Sequence, residues 1–255
     1  MSKLRLNFKM PKVGTLACQS FFCTYLRIES FFLWVLAMAR RIDDMEEANL
    51  KLYSALNDSE VDEEIRQKRA TAKKMTDIAK NSRQFILEAS LSRHVENYLN
   101  YLSSILLQIF TEKPETLKSS EKVEISAVLS FENIQDLVRN FAERKVESLS
   151  YSSISDLCGF FDKRFGIQLF PASEMPTMIE AVETRNISVH NRCIINNRYV
   201  QKTGCDPSLI GKRKELFLKD LDRFVLVLVH SVKNVDRRVC SKLKIKTHRL
   251  KIDLD

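Results

Sequence analysis

Glycine and proline are scarce, five of each in 255 residues. Sheet-rich folds need such residues at frequent turns, so their scarcity argues against a strand-rich architecture and for long helices with few connections. Six cysteines are present (Cys18, Cys23, Cys158, Cys193, Cys205, Cys240), yet no two form a Cys-x-x-Cys pair and none falls at a regular spacing with the four histidines. That pattern argues against a structural zinc site and against a disulfide framework. Reduced thiols in a cytoplasmic protein are the simplest account. A long uncharged apolar run is missing too. The nearest approach, "SFFCTYLRIESFFLWVLAMA" from Ser20 to Ala39, carries Arg27 and Glu29 near its middle, where a charge in lipid is costly. It reads as a buried amphipathic helix, and no membrane partner is expected. The N-terminus is basic, but Pro11 and Gly14 interrupt it before any apolar run, so no signal peptide is expected.

What is present is a globular composition, 44% apolar and 29% charged, in a chain long enough to bury a sizeable core. The formal charge of +8 is uneven. Residues 1–13 hold Lys3, Arg5, Lys9 and Lys12 and no acid; residues 233–255 hold eight basic and three acidic side chains. The ends together carry +9 against +8 for the whole, which leaves −1 for residues 14–232. Basic ends on a neutral body suit a polyanion, most simply nucleic acid, although basic tails also aid solubility.

Periodicity divides the chain. Residues 3–10 alternate with Leu4, Leu6, Phe8 and Met10 on one side, and residues 242–254 alternate around Leu243, Ile245, Leu250 and Ile252. Both read as strands, and since a lone ribbon is marginal the two ends are expected to pair against the body. Between them the pattern is helical. Apolar residues recur at three- and four-residue steps from about Thr15 to Asn57. A fresh start at "NDSEVDEE" opens a second long helix through Ile78, Phe85, Leu91, Leu102 and Phe110 to the stop at Pro114. Shorter helices follow: one capped near Ser130, one over 153–169 with Gly166 at its stop, and one after Pro171 with Ser173 or Thr177 as cap. A last helix runs from about Leu216 to Leu243 and directs Phe217, Leu221, Phe224 and Leu228 inward. The expected architecture is all-α: a long antiparallel helical hairpin (14–118), a helical bundle (119–241), a basic N-terminal arm or strand (1–13) and a basic C-terminal tail or strand (242–255), with a short β-ribbon from the two termini.

One segment carries chemistry. "TRNISVHN" places Arg185 five positions before His190, roughly 140° around an ideal helix, so the two do not share a face. Asn186 and His190 are four apart and do, so the amide is placed to fix the imidazole's orientation and tautomer. One copy of the helix makes a poor active site. Two copies across a two-fold axis bring two arginines and two histidines into one cleft.

Arg185, the polar Asn186, three further residues and then His190 resemble the Arg-x(4–6)-His signature of HEPN-domain ribonucleases. The setting on the penultimate expected helix, and the upstream "SFENIQDLVRNFAERKVESLSYSSISDLCGFFDKRFGI", are similar to one subgroup of that family over roughly residues 120–240. One departure is Cys193, where related sequences often carry glycine. The resemblance implies a HEPN-like bundle and a metal-independent endoribonuclease working as a homodimer, with no cofactor. His190 would be general base, Arg185 phosphate stabiliser, Asn186 the orienting residue and Asn191 a supporting one. It also implies a toxin or anti-phage defence role, with an antitoxin or sensor protein as a further partner. The basic tail residues Lys242, Lys244, Lys246 and Arg249 are expected to contact RNA. The alternative is a non-catalytic HEPN dimer that binds RNA or a nucleotide as a subunit of a larger complex; a third reading makes the hairpin an assembly element and the motif incidental. Of the other histidines, His94 reads as partly exposed beside Arg93, His230 as a core or groove residue, and His248 as part of the tail.

Overall fold

A computed structural model describes residues 8–56, 77–78, 81–117, 128, 131–150 and 152–251. Among the described residues it is all-α, apart from one two-stranded ribbon. The helices are α1 (Leu16–Leu56), α2 (Arg83–Glu112), α3 (Ile134–Ser150), α4 (Ile154–Phe165), α5 (Met175–Asn191), α6 (Asn197–Thr203) and α7 (Leu218–Leu243). Short 3-10 turns cover Pro114–Leu117 and Pro207–Leu209.

The second long helix is the axle of the fold. Along α2 the buried positions Leu87, Leu91, Val95, Tyr98, Leu102, Ile105, Ile109 and Phe110 recur at three- and four-residue steps, and α1, α3, α5 and α7 all pack on it. A single apolar core takes residues from both the expected hairpin segment and the expected bundle segment, from Ala17 through Phe161 to Leu250. Burying a leucine or phenylalanine there contributes about 1.5–3 kcal/mol. A satellite cluster of Ile187, Ile195 and Tyr199 joins α5 to α6.

The two ends do pair. Strand β1 (Val13–Gly14) runs antiparallel to β2 (His248–Arg249), with Val13 opposite Arg249 and Gly14 opposite His248, and Leu250 N–H donates to the carbonyl of Lys12 at 3.0 Å. The pairing begins just after the expected 3–10 segment, of which residues 3–7 lie outside the described residues and residues 8–10 are in no strand. Glycine is required at position 14 because a Cβ there would collide with Asp236 Oδ2.

Helix limits follow local chemistry. Helix α4 starts at a capping box in which the Ser153 hydroxyl accepts from Asp156 N–H and the Asp156 carboxylate accepts from Ser153 N–H, and it stops at Gly166 in the left-handed region. For α3 the cap is Asn133, whose Oδ1 accepts from Asp136 N–H at 2.9 Å; the expected Ser130 lies outside the described residues. Neither Ser173 nor Thr177 caps α5: Glu174 precedes it, with no side-chain cap bond, and Pro176 occupies its first turn, where a missing N–H costs nothing. The start of the second long helix at "NDSEVDEE" also lies outside the described residues.

Several apolar positions face differently from the expectation. Phe217 is 44% exposed, because the chain turns there into α7, and Phe85 and Ile78 stand out from the first turns around α2 at 71% and 48%. No helix among the described residues is long and apolar enough to cross a membrane.

Candidate functional site

Helix α5 is clamped on three sides. Glu180 bonds Lys214 at 2.9 Å and Arg223 at 2.7 Å. Burial raises the Glu180 carboxyl pKa, but the two cations outweigh it and hold the group below its ordinary value. Thr184 shares a hydrogen bond of 3.2 Å with the Tyr199 hydroxyl on α6. Glu183, itself buried, accepts from Asn186 Nδ2 at 3.4 Å and lies 3.7 Å from Arg198 Nε. Met178 and Ala181 seal the remaining side into the core.

On this fixed helix Arg185 is half-buried. Its Nη1 donates to Asn186 Oδ1 at 3.3 Å, while its Nε is shielded from water and meets no hydrogen-bond acceptor among the described residues. The guanidinium lies where two depressions meet across α2. The larger is a groove of about 920 Å³ between α1, α2 and α5, walled by Arg27, Ile28, Phe31, Phe32, Phe85 and Arg93, with Val189 beside Arg185. The smaller, about 200 Å³, lies between α2, α3 and α4 against Leu106, Val146 and Leu157. Glu96 and Asn100 border both.

His190 lies elsewhere on the helix. It is exposed, lines neither depression, and makes no hydrogen bond or ion pair among the described residues. Asn186, expected to orient the imidazole, is engaged with Arg185 and Glu183 instead. Asn191 serves the backbone, since its Nδ2 donates to the Ile194 carbonyl at 2.7 Å and closes the turn after α5. Arg192 and Cys193 follow with φ of 51° and 60°. Cys193 thus takes a left-handed backbone although it is not glycine, and α5 ends cleanly there. Burial pushes its thiol up to about 11, so it is a protonated packing residue and no nucleophile.

The four tail cations are not at this site. Lys242 Nζ donates to the Gly166 carbonyl, Lys246 N–H donates to Glu112, Lys244 ends α7 in the left-handed region, and Arg249 lies in β2. Glu112 lies on α2 about 18 Å beyond Asn100 along the axis, at the usual rise per residue. The basic end and the Arg185 groove are therefore two separate features.

The remaining histidines correct two expectations. His94 is not partly exposed: it is 2% exposed, with Nε2 at 2.9 Å from the equally buried Glu29 on α1. His230, expected in the core or a groove, is exposed on α7 with its ring perpendicular to that of Phe8. His248 lies in β2.

Sequence reasoning missed the groove walls. Arg27 enters the sequence reading only as a charge that argues against a membrane span, Arg93 only as the neighbour of His94, Phe85 only as part of an apolar stripe, and Phe31 not at all. The signal that could have found them was an excess of large apolar residues on α1, more than one buried face can accommodate.

Among the described residues, no group of three or more His, Cys, Asp or Glu side chains is placed to hold a metal ion. No protein-family model matches the chain, nor does any curated protein or solved structure.

Proposed function

We propose that the protein is a metal-independent endoribonuclease that acts as a homodimer, with His190 and Arg185 as its working pair. The observation that carries the reading is that, among the described residues, the fold leaves His190 without a polar partner and the Nε of Arg185 without an acceptor. A histidine kept for structure in this chain looks like His94, buried and paired with Glu29. His190 is exposed and bonds nothing among the described residues, and Arg185 holds an Nε with no acceptor at the edge of an open groove.

In this mechanism the imidazole of His190 takes the proton of a ribose 2′-hydroxyl. Imidazole is the side chain most often used as a general base in such proton transfers. The 2′-oxygen attacks the adjacent phosphorus, the bond to the 5′-oxygen breaks, and the leaving oxygen takes up a proton. The products are a 2′,3′-cyclic phosphate and a 5′-hydroxyl. Arg185 stabilises charge on the five-coordinate phosphorus through its planar donors. The two side chains diverge around α5, so one chain cannot close the site; two α5 helices facing each other across a two-fold axis supply both groups to one cleft. A role as a toxin or anti-phage effector, restrained by an antitoxin or sensor protein, belongs to the same proposal.

A second reading is favoured by the Asn186 geometry. Its amide is held by Arg185 and Glu183 and not by the imidazole, as befits a dimer that binds RNA without cutting it. One experiment separates the two. Purified protein is incubated with RNA in the presence of a chelator, and the new ends are mapped and tested for cyclic phosphate. Loss of cleavage by at least about 100-fold in His190→Ala and Arg185→Ala, at unchanged thermal stability, is the expected result. Wild-type binding without cleavage selects the second reading, and equal cleavage by all three proteins overturns the mechanism.

A further inference from the structure

Large aromatic side chains on a helix ordinarily face a core, and those on the groove do not. Phe31 is 58% exposed and Phe85 71%, on the walls formed by α1 and the start of α2, and Val189 of α5, 51% exposed, lines the same groove with Arg185. Contiguous exposed apolar surface of this kind marks a binding site. The charged groups on the same walls are Arg27, Arg93 and Arg185 and one carboxylate, Glu96, which Arg93 engages at 3.1 Å; Thr24, Ser92, Asn97 and Asn100 add neutral polar groups. Arg185 Nε adds a donor sheltered from water with no acceptor of its own. At about 920 Å³ the groove falls within the range of sites that enclose small ligands.

The occupant must offer flat apolar faces and anionic oxygens together. We infer that the groove between α1, α2 and α5 is a subsite for single-stranded RNA, in which unpaired bases stack on Phe31 and Phe85 while the flanking phosphates lie against the groove arginines. The inference rests on the proposed RNA chemistry and adds to it the form of the substrate and the residues that read it. Rings and guanidiniums interleaved along a groove are how proteins hold single strands without regard to sequence. A duplex hides its base faces and cannot enter. A second copy of the chain is a poorer occupant, because the facing groove would offer guanidiniums where a strand offers phosphates. A strand lying here passes Arg185, the one residue shared between the groove and the proposed cleavage pair.

The test uses the full chain carrying His190→Ala, a fluorescein-labelled single-stranded RNA of mixed sequence, and anisotropy as the readout. Phe31→Ala and Phe85→Ala remove exposed rings, so their melting temperatures should match that of the parent. Each should weaken single-strand binding about tenfold, as expected for the loss of one stacking platform. The same RNA annealed to its complement should bind parent and variants alike, and a strand with abasic sites should bind the parent as weakly as the normal strand binds the variants. Equal affinity of parent and variants for the single strand overturns the inference. So does light scattering that shows the substitutions splitting a dimer, which would make the groove a protein interface. Cleavage by the wild type alongside ring-independent binding sinks this inference and leaves the nuclease standing; ring-dependent binding without any cleavage does the reverse.

Discussion

At the residue scale, the informative contrast is between polar groups the fold uses and those it leaves. Asp236 is fully used. Buried on α7, it accepts from Thr15 N–H at 3.2 Å and from the Thr15 hydroxyl, with Cys240 Sγ at 3.9 Å, and so ties the start of α1 to the last helix. Burial raises its pKa above the ordinary 3.8, and the bonds from Thr15, Cys18 and Cys240 only soften the rise. A carboxyl with a raised folded-state pKa holds its proton more tightly when folded. Its favourable contribution is therefore complete below the unfolded value and declines as pH climbs through the folded one. Urea unfolding of wild type and Asp236→Asn across acidic to neutral pH checks this. The stability difference, wild type minus variant, should fall with rising pH and then level; a difference that grows with pH would refute the assignment. In a sequence this aspartate is one acid among thirty-three, because nothing local marks the partner that α1 brings to it.

At the element scale, most of the fold was legible. The extent of α1, the stop of α2 before Pro114, the capping box of α4 and its Gly166 stop all follow from signals a few residues long. Facing was less legible, since periodicity gives a stripe but not how much of it the neighbours cover. Phe21 and Tyr25 reach the core, while Ile28, Phe32 and Val35, on the same stripe further along α1, line the groove where packing against α2 diverges. The motif's helix was legible, as was the divergence of Arg185 from His190; the expected bond from Asn186 to the imidazole does not form, because Arg185 and Glu183 take the amide. The end of α5 yields a prediction of its own. Arg192 is exposed at φ 51°, a backbone that strains any residue with a Cβ. Arg192→Gly relieves that strain against a smaller loss of chain entropy, for a net gain of about 0.5–1 kcal/mol. The expected outcome is a small upward shift of the melting temperature. Cys193→Gly should gain nothing, since its buried side chain fills space that glycine would leave empty.

At the scale of the whole molecule, the ribbon of β1 and β2 gathers charge that the sequence places at opposite ends. Lys12 adjoins one strand and Arg249 lies in the other, and α7 delivers Arg238, Lys242 and Lys244 to the same end. The acids nearest by are occupied: Asp236 is buried with Thr15, and Glu112 accepts from the Lys246 backbone. The basic end lies well removed from the groove, so under the proposed function the two should contribute to RNA binding in different ways. Stacking in the groove is short-ranged and barely sensitive to salt, whereas lysines on phosphates release counterions and make affinity fall steeply as salt rises. Replacing Lys242, Lys244, Lys246 and Arg249 together with glutamine should therefore flatten the plot of log affinity against log salt, by about 0.7 for each single-strand phosphate that is no longer neutralised. The same variant should cut saturating RNA at the wild-type rate, because none of the four residues reaches α5. Phe31→Ala and Phe85→Ala should do the opposite, lowering affinity at every salt concentration without changing the slope. A slope that stays at the wild-type value in the quadruple variant would mean that RNA never touches this end, and the gathered charge would then serve some purpose other than holding the substrate.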